Sequence, residues 1–480
     1  MSHEQEQDNP KALVVVSNRL PVTLQRSDTG QWEVHSSTGG LVTALVPLLG
    51  KRKGMWIGWP GILEETNVDK LLKVASQARG YILKPVILTP EEVNKHYFGF
   101  SNQIIWPLFH DLQSRCNFDP AYWSAYKAVN HKFAQTIIEN TMADDFIWIQ
   151  DYHLILVGRV LRSMGMDSKL GFFLHTPFPP PEMFIKLPWR SQIIEALLEY
   201  DLVGFQTLRD RNNFLHCIEA MLKGHHVDAR RQLVTITSRR RETVVGSFPI
   251  SIDFREFAQQ AASKDVANAT RQLRNAIPDR KIVLGVDRLD YSKGIPEKLR
   301  AFRNALKRFH EIRRKISLIQ IVVPSREDIP EYKVLRAEIE GLVSEINGKF
   351  TTPGWIPVHY MFRSLPRTEL LAYYRAADIA LVTPLKDGMN LVSKEYCVAR
   401  TDKDGVLILS EFAGAASQLH RDSLIVNPYD VEGVADAIVR AYHMSTDERQ
   451  WRMRRLRKSI AKRDVFWWVS CFLQAAGFNS

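Results

Sequence analysis

Cysteine is scarce in this sequence of 480 residues. Only four are present, Cys116, Cys217, Cys397 and Cys471, and they are widely separated, without a CxxC pair. Disulfide frameworks and structural zinc sites both depend on cysteines at characteristic short spacings. The sequence therefore argues against both kinds of site.

Long apolar runs are also missing. No run reaches the length of a transmembrane helix, and the N-terminus has no signal-peptide apolar region. Neither the G-x-G-x-x-G dinucleotide fingerprint nor a Walker A loop occurs. We therefore expect a cytoplasmic protein with no membrane partner.

Basic residues outnumber acidic ones, since 64 Lys and Arg stand against 53 Asp and Glu, for a formal net charge of +11. Such a surplus is typical of proteins that bind nucleic acid, anionic membranes or small acidic substrates. Part of it lies in residues 452–463, where Met453, Leu456 and Ile460 recur at helical spacing. We interpret this segment as a helix with one buried stripe and a solvated basic face, and polyanion binding is the alternative.

Apolar, β-branched runs alternate with helical patterns in both halves of the chain. This alternation predicts an α/β fold with two Rossmann-like parallel-sheet domains facing a cleft. We predict a first domain over residues 1–252, a second over 253–463 that begins with one long helix at 254–275, and a C-terminal helix at 464–480 packed back on the first domain. Functional residues are expected in loops that follow strands, because ligands of such sheets bind at the carboxyl ends of strands.

One loop combines two cations in a position suited to an anion. Residues 286–294, V-D-R-L-D-Y-S-K-G, follow an apolar run and precede a helical pattern at 295–309. Arg288 and Lys293 would both lie at the end of one strand, where a guanidinium and an ammonium favour the dispersed charge of a phosphate. The alternative is an ordinary loop with two solvated charges.

Polar groups follow other predicted strands as well. Asp151 follows F-I-W-I-Q, His175 follows G-F-F-L, and a polar run that includes residues 387–395 follows I-A-L-V. Any one of them could be a structural residue in a capped loop. Several together at predicted strand ends indicate a functional site.

The segment D-G-M-N at 387–390 directly precedes a predicted helix. A glycine there exposes N–H donors at a helix N-terminus, where hydroxyl or phosphate oxygens can bind. Glu395, in the same helix, could accept two hydrogen bonds from a ribose diol, or it could only complement the helix dipole. The pair Gly39-Gly40, before another predicted helix, is a weaker signal of the same kind.

Short motifs along the chain together resemble the trehalose-6-phosphate synthase family, in its stand-alone fungal and bacterial form. The resemblance covers residues 12–476 and leaves no appended phosphatase domain. The motifs are S-N-R-L-P (17–21), G-G-L (39–41), W-x-G-W-x-G (56–61), F-S-N-x-x-x-W-P-x-F-H (100–110), Q-D-Y-H (150–153), H-T-P-F-P (175–179), V-D-R-L-D-Y-S-K-G (286–294), S-R-E (325–327) and D-G-M-N-L-V-S-K-E-Y (387–396).

The resemblance implies a retaining glycosyltransferase of the GT-B architecture that transfers glucose from UDP-glucose to glucose 6-phosphate, the first step of trehalose biosynthesis. Arg288 and Lys293 would clamp the departing diphosphate, Asp387 would hold glucosyl hydroxyls and Glu395 would bind the ribose. The residues implied to bind UDP-glucose are Gly39, Gly40, His175, Arg288, Lys293, Leu365, Asp387, Gly388, Met389, Asn390, Leu391, Val392, Ser393, Lys394 and Glu395.

A second group is implied for glucose 6-phosphate. Arg19 and Arg326 would bind its phosphate with the Tyr97 hydroxyl, and Asp151 and Trp106 would position its sugar. The residues implied to take part in catalysis are Asp151, His175, Arg288, Lys293 and Asp387.

Two routes lead to retention of the anomeric configuration. One uses a carboxylate nucleophile, as in retaining glycosidases. The other, which we favour for this family, attacks from the face of the leaving group, so that Asp151 and Asp387 only position the sugars. We expect no cofactor and no metal, because the one D-x-D match, Asp402 to Asp404, precedes a glycine and a predicted strand and is typical of a turn.

Three alternatives remain open at this point: a related glycosyltransferase with another acceptor, a catalytically silent sugar sensor, and a polyanion-binding protein. The arginines implied for the acceptor phosphate argue against the first, and the complete ligand set argues against the second. We expect small-molecule substrates and no nucleic acid, with a homo-oligomer or a complex with a trehalose-phosphatase as the candidate assemblies.

Overall fold

The computed structural model of the chain describes residues 12–27, 31–36, 40–52, 54–63, 68–223, 226–228, 233–237, 241–325 and 329–478. The chain divides into two compact units. Unit 1 extends to Pro249 and resumes at Trp468, and unit 2 comprises Ile250–Trp467. The boundaries predicted after residues 252 and 463 lie three and four residues from these divisions.

Unit 1 contains a nine-stranded sheet and a separate two-stranded hairpin. Its strands are β1 (Leu13–Arg19), β2 (Val22–Arg26), β3 (Trp32–Ser36), β4 (Met55–Trp59), β5 (Ile82–Pro85), β6 (Phe146–Gln150), β7 (Leu170–Leu174), β8 (Leu202–Phe205), β9 (His226–Asp228), β10 (Val234–Thr237) and β11 (Glu242–Ser247). The sheet order is β5-β4-β1-β6-β7-β8-β11-β10-β9, with β2 and β3 forming the hairpin. All neighbours are parallel except at the β11-β10-β9 edge.

Unit 2 contains a six-stranded sheet in which every pairing is parallel. Its strands are β12 (Lys281–Arg288), β13 (Ile316–Val323), β14 (Val358–Phe362), β15 (Ile379–Val382), β16 (Val406–Ser410) and β17 (Leu424–Val426). The sheet order is β14-β13-β12-β15-β16-β17, which is the doubly wound order 3-2-1-4-5-6. The two sheets, parallel throughout in unit 2 and parallel except at one edge in unit 1, confirm the predicted α/β class.

Helices connect the strands in both units. Those of unit 1 are α1 (Gly40–Arg52), α2 (Val68–Arg79), α3 (Pro90–Glu92), a π-helix (Val93–Ile105), α4 (Trp106–Phe109), α5 (Pro120–Asn140), α6 (Val157–Ser163), α7 (Pro181–Phe184), α8 (Arg190–Leu197) and α9 (Leu208–Met221). Those of unit 2 are α10 (Phe254–Ala261), α11 (Lys264–Ala276), α12 (Ile295–Arg308), α13 (Pro330–Phe350), α14 (Arg367–Ala376), α15 (Leu391–Ala399), α16 (Ala416–Leu419), α17 (Val431–His443) and α18 (Thr446–Lys462), and α19 (Val465–Ala475) leads back into unit 1. Single 3₁₀ turns occur at Gln113–Arg115, Tyr152–Leu154, Tyr291–Lys293 and His310–Ile312.

The strand order places one topological switch point in each sheet. In unit 2 the chain order reverses between the neighbours β12 and β15, and in unit 1 it reverses between β1 and β6. Loops on either side of such a pair leave in opposite directions and open a crevice at the carboxyl ends of the strands. The loops after β1, β6, β12 and β15 are therefore the places where ligand-binding residues are expected.

The strands at these switch points are mainly apolar because their residues are buried on both faces of the sheet. The first six residues of β1, L-V-V-V-S-N, are all buried, and so are all five residues of β6. Parallel strands buried on both faces have near-continuous apolar sequences rather than alternating ones. Each run ends where a polar residue enters the strand-end loop.

The structure corrects one predicted helix. Residues 254–275 form two helices, α10 and α11, rather than one. The side chain of Ser263 accepts a hydrogen bond from the Val266 N–H and caps α11, which is why the helix restarts there. The buried stripe predicted for the basic segment is confirmed, since Met453, Leu456 and Ile460 are the buried residues of α18.

Helix α19 packs its aromatic side chains into unit 1. The ring of Phe472 stacks on Trp148 of β6 at 4.4 Å between centroids, and Trp468 lies 5.2 Å from the same ring. Phe173 of β7 also contacts both of these α19 side chains. The C-terminal helix therefore completes the core of unit 1.

The packing of α19 predicts an asymmetry between two phenylalanines of the same helix. Phe472 is fully buried, whereas Phe466 is 42% exposed. We expect Phe472→Ala to lower the free energy of unfolding of unit 1 by about 3–5 kcal/mol, because a large cavity forms. Phe466→Ala is the matched control and should change it by less than about 1 kcal/mol. Chemical denaturation measures both, and equal effects would contradict the assignment of α19 to the core of unit 1.

Candidate active site

A buried ion pair joins the two loops at the switch point of unit 2. The Lys293 ammonium, in the loop after β12, lies 2.7 Å from Oδ2 of Asp387, in the loop after β15. Both side chains are about nine-tenths buried, with 10% and 11% of their surface exposed. The structure thus brings together two residues that are 94 positions apart in the sequence.

The loop after β12 is shaped by its own polar groups. Asp290 accepts a hydrogen bond from the Ser292 N–H, and the Ser292 carbonyl accepts one from the Leu385 N–H at 2.8 Å. Gly294 ends the turn with φ +63°, and a Cβ at that position would lie 2.7 Å from the Thr383 carbonyl oxygen. Only glycine combines this backbone conformation with such a close approach.

A second ion pair lies under the same loop. Lys298 of α12 donates to Oδ2 of Asp287 at 2.5 Å, and the Gln320 amide donates to the same oxygen at 2.9 Å. Arg288 follows Asp287 at the end of β12 and is exposed. The buried carboxylate and its two donors therefore hold the strand end from which the Arg288 guanidinium extends.

The Asp387 carboxylate is surrounded by donors. Besides Lys293, its Oδ2 accepts from the Asn390 amide at 3.2 Å, and its Oδ1 accepts from the Met389 N–H at 3.1 Å. Asn390 adopts φ +64° and caps α15 by accepting from the Ser393 N–H. These bonds hold D-G-M-N in a tight turn.

Helix α15 begins at this turn, and part of its N-terminus is open. Among the described residues, the N–H groups of Gly388, Leu391 and Val392 have no protein acceptor. Those of Met389 and Ser393 are already used inside the turn. An anion or a hydroxyl oxygen at this end would be stabilised by the free donors and by the helix dipole.

Glu395 lies at the middle of α15 and is partly buried. Its Oε2 accepts a hydrogen bond from the Tyr374 hydroxyl at 2.9 Å, and burial raises the pKa of the carboxyl above its ordinary value. If Glu395 only complemented the helix dipole, the hydrogen bond from Tyr374 would not be needed. Leu365, in the loop before α14, packs against the core of unit 2.

The Lys394 side chain points away from the other residues that the resemblance implies to bind UDP-glucose. Its Nζ donates to the Ile250 carbonyl at 2.7 Å and to Oε1 of Gln418 at 2.8 Å. The side chain is buried, with 1% of the residue exposed. The Lys394 ammonium therefore does not extend toward the open end of α15.

In unit 1, Arg19 stands at the end of β1, next to the switch point. Its guanidinium carbon lies 4.3 Å from the ring centroid of Trp59 and 6.0 Å from that of Tyr97. A Cβ at Gly61, where φ is +85°, would lie 2.2 Å from Nη1 of Arg19. In the W-x-G-W-x-G motif, Trp59 thus packs against the guanidinium, and Gly61 leaves the space that the guanidinium occupies.

Asp151 lies on the other side of this switch point, directly after β6. It adopts φ +69° and ψ 169°, a conformation rare for residues other than glycine, and its Oδ1 accepts from the His175 N–H at 3.2 Å. Strained backbone of this kind is concentrated at functional sites. Trp106 is buried 5.9 Å from the Tyr152 ring, and Tyr97 stacks on His153 at 5.8 Å.

His175 is held between two glutamines. The Gln206 amide donates to Nδ1 at 3.1 Å, and Nε2 donates to Oε1 of Gln150 at 3.0 Å, which corresponds to the neutral tautomer protonated at Nε2. Burial lowers the pKa of His175 to about 3. Because both ring nitrogens are occupied and the ring is neutral, His175 is not suited to be a general base.

Two predicted residues, Gly39 and Arg326, lie outside the described residues. Gly40 is the first residue of α1. Gln206 and Tyr374, which contact His175 and Glu395, were not among the predicted site residues. Gln206 directly follows β8, so the strand-end criterion that selected Asp151 and His175 would also have found it. Tyr374 lies inside α14 and carries no such signal.

The described part of the chain contains no cluster of three or more His, Cys, Asp or Glu side chains that could hold a metal ion. The carboxylates of the D-x-D match are paired with arginines, Asp402 with Arg400 at 2.9 Å and Asp404 with Arg449 at 2.6 Å. Within the described ranges every helix is too short or too polar to cross a membrane.

Known proteins are similar to this sequence over nearly its whole length. The model of glycosyltransferase family 20 matches residues 11–477. The chain belongs to glycosyltransferase family 20. Trehalose-6-phosphate synthases of this kind from Mycobacterium leprae and Mycolicibacterium smegmatis are 45% and 43% identical to it, over 96% of the chain and 94% and 92% of their own length.

Solved structures agree with this family 20 assignment. An α,α-trehalose-phosphate synthase (UDP-forming) from Burkholderia xenovorans in complex with glucose 6-phosphate is 34% identical, with a TM-score of 0.86 over 97% of this chain and 100% of that one. An E. coli structure bound with UDP-2-fluoro glucose is 35% identical, with a TM-score of 0.87 over 97% and 99%. The chain is therefore a glycosyltransferase with the GT-B fold class predicted from its sequence.

Two buried neutral histidines predict a loss of stability in acid. Burial lowers the pKa of His175 to about 3 and that of His96 to about 4. Below the unfolded pKa of about 6.5, the unfolded chain binds protons that the folded chain does not, so stability falls as the pH drops toward the folded pKa. At pH 5 each histidine should cost about 2 kcal/mol relative to pH 7.5.

Chemical denaturation of the wild type, His175→Gln and His96→Gln at both pH values measures this cost. Each variant should show a smaller difference between pH 7.5 and pH 5 than the wild type. His131→Gln is the control, since His131 is exposed on α5 rather than buried. A wild-type difference that neither substitution reduces would contradict the neutral assignment.

Proposed function

We propose that this chain transfers glucose from UDP-glucose to glucose 6-phosphate, giving α,α-trehalose 6-phosphate and UDP. The observation that carries the proposal is the Lys293–Asp387 pair beside the open N–H groups of α15, at the switch point of the unit 2 sheet. It offers cationic, anionic and neutral hydrogen-bonding groups in one place, which suits a nucleotide sugar. Membership of family 20 and the ligands named for the related structures support the same donor and acceptor.

The donor is assigned to unit 2. Arg288 and Lys293 neutralise the diphosphate as it departs, which is the role a metal ion plays in other glycosyltransferases. Asp387 binds hydroxyls of the transferred glucose, and the N–H groups at the start of α15 bind oxygens of the donor. Glu395, oriented by Tyr374, accepts hydrogen bonds from the ribose diol.

The acceptor is assigned to unit 1. Arg19, stacked on Trp59, binds the phosphate of glucose 6-phosphate together with the Tyr97 hydroxyl and Arg326. Asp151 and Trp106 position its sugar ring. The strained backbone at Asp151 is consistent with a carboxylate that must point in one direction.

The chemistry of Asp387 favours attack from the face of the leaving group. A carboxylate that already accepts from Lys293, Asn390 and Met389 is a weak nucleophile. In the route we assign, the bond from the anomeric carbon to the diphosphate breaks as the acceptor hydroxyl bonds to that carbon. The hydroxyl proton passes to the departing phosphate oxygen, so no protein base is required and the configuration is retained.

The product still carries a phosphate. The partner enzyme we propose is a trehalose-phosphatase, acting on the released product or in a complex with this chain.

The direct test is synthesis. Purified protein incubated with UDP-glucose and glucose 6-phosphate should release UDP and a phosphorylated non-reducing disaccharide, identified by mass spectrometry and NMR. Turnover should persist in excess EDTA, because Arg288 and Lys293 supply the positive charge. A folded protein that binds UDP without turnover would support a sugar sensor instead.

Two arginine variants should separate the substrates. Arg19→Ala and Arg326→Ala should each raise KM for glucose 6-phosphate by about 10–100-fold, because a charge-assisted hydrogen bond is worth about 1.5–3 kcal/mol. Both should leave UDP affinity unchanged. Arg288→Ala should do the opposite, lowering kcat and UDP affinity without changing KM for glucose 6-phosphate.

Arg159, which forms an exposed ion pair with Glu195 in unit 1, provides the matched control. Arg159→Ala should behave as the wild type in steady-state kinetics and in calorimetry with UDP. If Arg19→Ala or Arg326→Ala weakens both substrates equally, the assignment of the acceptor phosphate is wrong.

A further inference from the structure

Lys394 is a buried lysine whose side chain has no carboxylate partner within the described part of the chain. It lies on α15, one residue before Glu395, yet its ammonium contacts the Ile250 carbonyl and Oε1 of Gln418, at 2.7 and 2.8 Å. Only 1% of the residue is exposed. A methionine or leucine could fill the same volume without removing a charge from water.

Burial at this position has an energetic cost. Desolvation lowers the pKa of Lys394 to about 7, with a smaller contribution in the same direction from the like charge of Arg463. A neutral lysine amine has two N–H donors, which is the number of acceptors that the structure provides. The side chain is thus matched to its two partners rather than to a charge.

The first partner lies where the chain enters unit 2. Ile250 is the first residue of that unit. Two residues later, the Ile252 carbonyl accepts a hydrogen bond at 3.1 Å from the Val465 N–H, in the first turn of α19. The segments through which the chain enters and leaves unit 2 are therefore hydrogen-bonded to each other, and Lys394 attaches α15 to them.

The second partner belongs to the segment that supports the D-G-M-N turn. Gly414 and Ala415 donate their N–H groups to the carbonyls of Asp387 and Met389, each at 2.8 Å. A Cβ at Gly414 would lie 1.8 Å from the Gly388 carbonyl oxygen, so the two backbones are in direct contact. Gln418, four residues further on, accepts from Lys394 and donates to the Ser459 carbonyl of α18 at 2.9 Å.

We propose that Lys394 is a positioning residue for the nucleotide sugar. Through Ile250 and Gln418 it holds α15 and the D-G-M-N turn in register with the entry segment of unit 2. Asp387, the open N–H groups and Glu395 all depend on that register, although Lys394 itself contacts no substrate. This inference rests on the proposed function, because it concerns the binding of the same donor.

The test compares two lysines that each donate to a backbone carbonyl in unit 2. Lys394→Met should raise KM for UDP-glucose and lower kcat, each by about tenfold, with KM for glucose 6-phosphate unchanged. Lys281→Met is the matched control. Lys281 donates to the Tyr442 carbonyl at 2.7 Å, but it lies at the amino end of β12, opposite the strand end that carries the candidate site. This variant should leave all three parameters within about twofold of the wild type.

Two variants of the partner keep the proposal testable if Lys394→Met does not fold. Gln418→Leu removes one acceptor and should change the same two parameters in the same direction by a smaller factor. Gln418→Glu keeps an acceptor for Lys394 but loses the donor to Ser459, so it should raise KM for UDP-glucose less than Gln418→Leu does. A purely structural role would predict equal effects on both substrates.

The outcomes separate this inference from the proposed function. Lys394→Met kinetics equal to those of Lys281→Met, or an equal rise in KM for glucose 6-phosphate, would overturn the positioning role. If the wild type shows no turnover, the proposed function fails, and calorimetry with UDP then decides the inference alone. Unchanged UDP affinity in a folded Lys394→Met variant would overturn it.

Discussion

The ion pair between Lys293 and Asp387 is the interaction on which the candidate site of unit 2 depends. It joins the loops that follow β12 and β15, on the two sides of the switch point of the unit 2 sheet. Each charge is about nine-tenths buried, so either one without the other would be costly. The pair therefore fixes the distance between a group suited to phosphate and a group suited to sugar hydroxyls.

Both units use the same strand order to make a site, but they hold their polar groups differently. In unit 2 the carboxylate is surrounded by donors, and the strain of the turn falls on Asn390, at φ +64°. In unit 1 the strain falls on the carboxylate residue itself, Asp151, at φ +69°. The first arrangement makes Asp387 a poor nucleophile, and the second limits the direction of Asp151, so both suit positioning rather than covalent catalysis.

The formal charge of +11 has little to do with the site. Much of the basic face of α18 is used within unit 2, since Arg449 pairs with Asp404, Arg455 with Asp422, and Arg457 donates to the Cys397 carbonyl. The cations that we propose to bind the anionic substrates are the few at strand ends. The candidate site residues were therefore selected by the position of a charge relative to a strand and not by the overall charge.

The sequence by itself determined most element types, the α/β class and the loops that carry the candidate site, because apolar periodicity and turn residues act over a few neighbouring positions. Only the tertiary structure decided which groups those loops present. Lys394 and Glu395 are adjacent in one motif, yet one side chain meets Ile250, 144 residues away, and the other meets Tyr374. The tautomer of His175 likewise depends on Gln150 and Gln206. Hydrogen-bond partners and desolvation arise from groups far apart in the chain, so no local pattern specifies them.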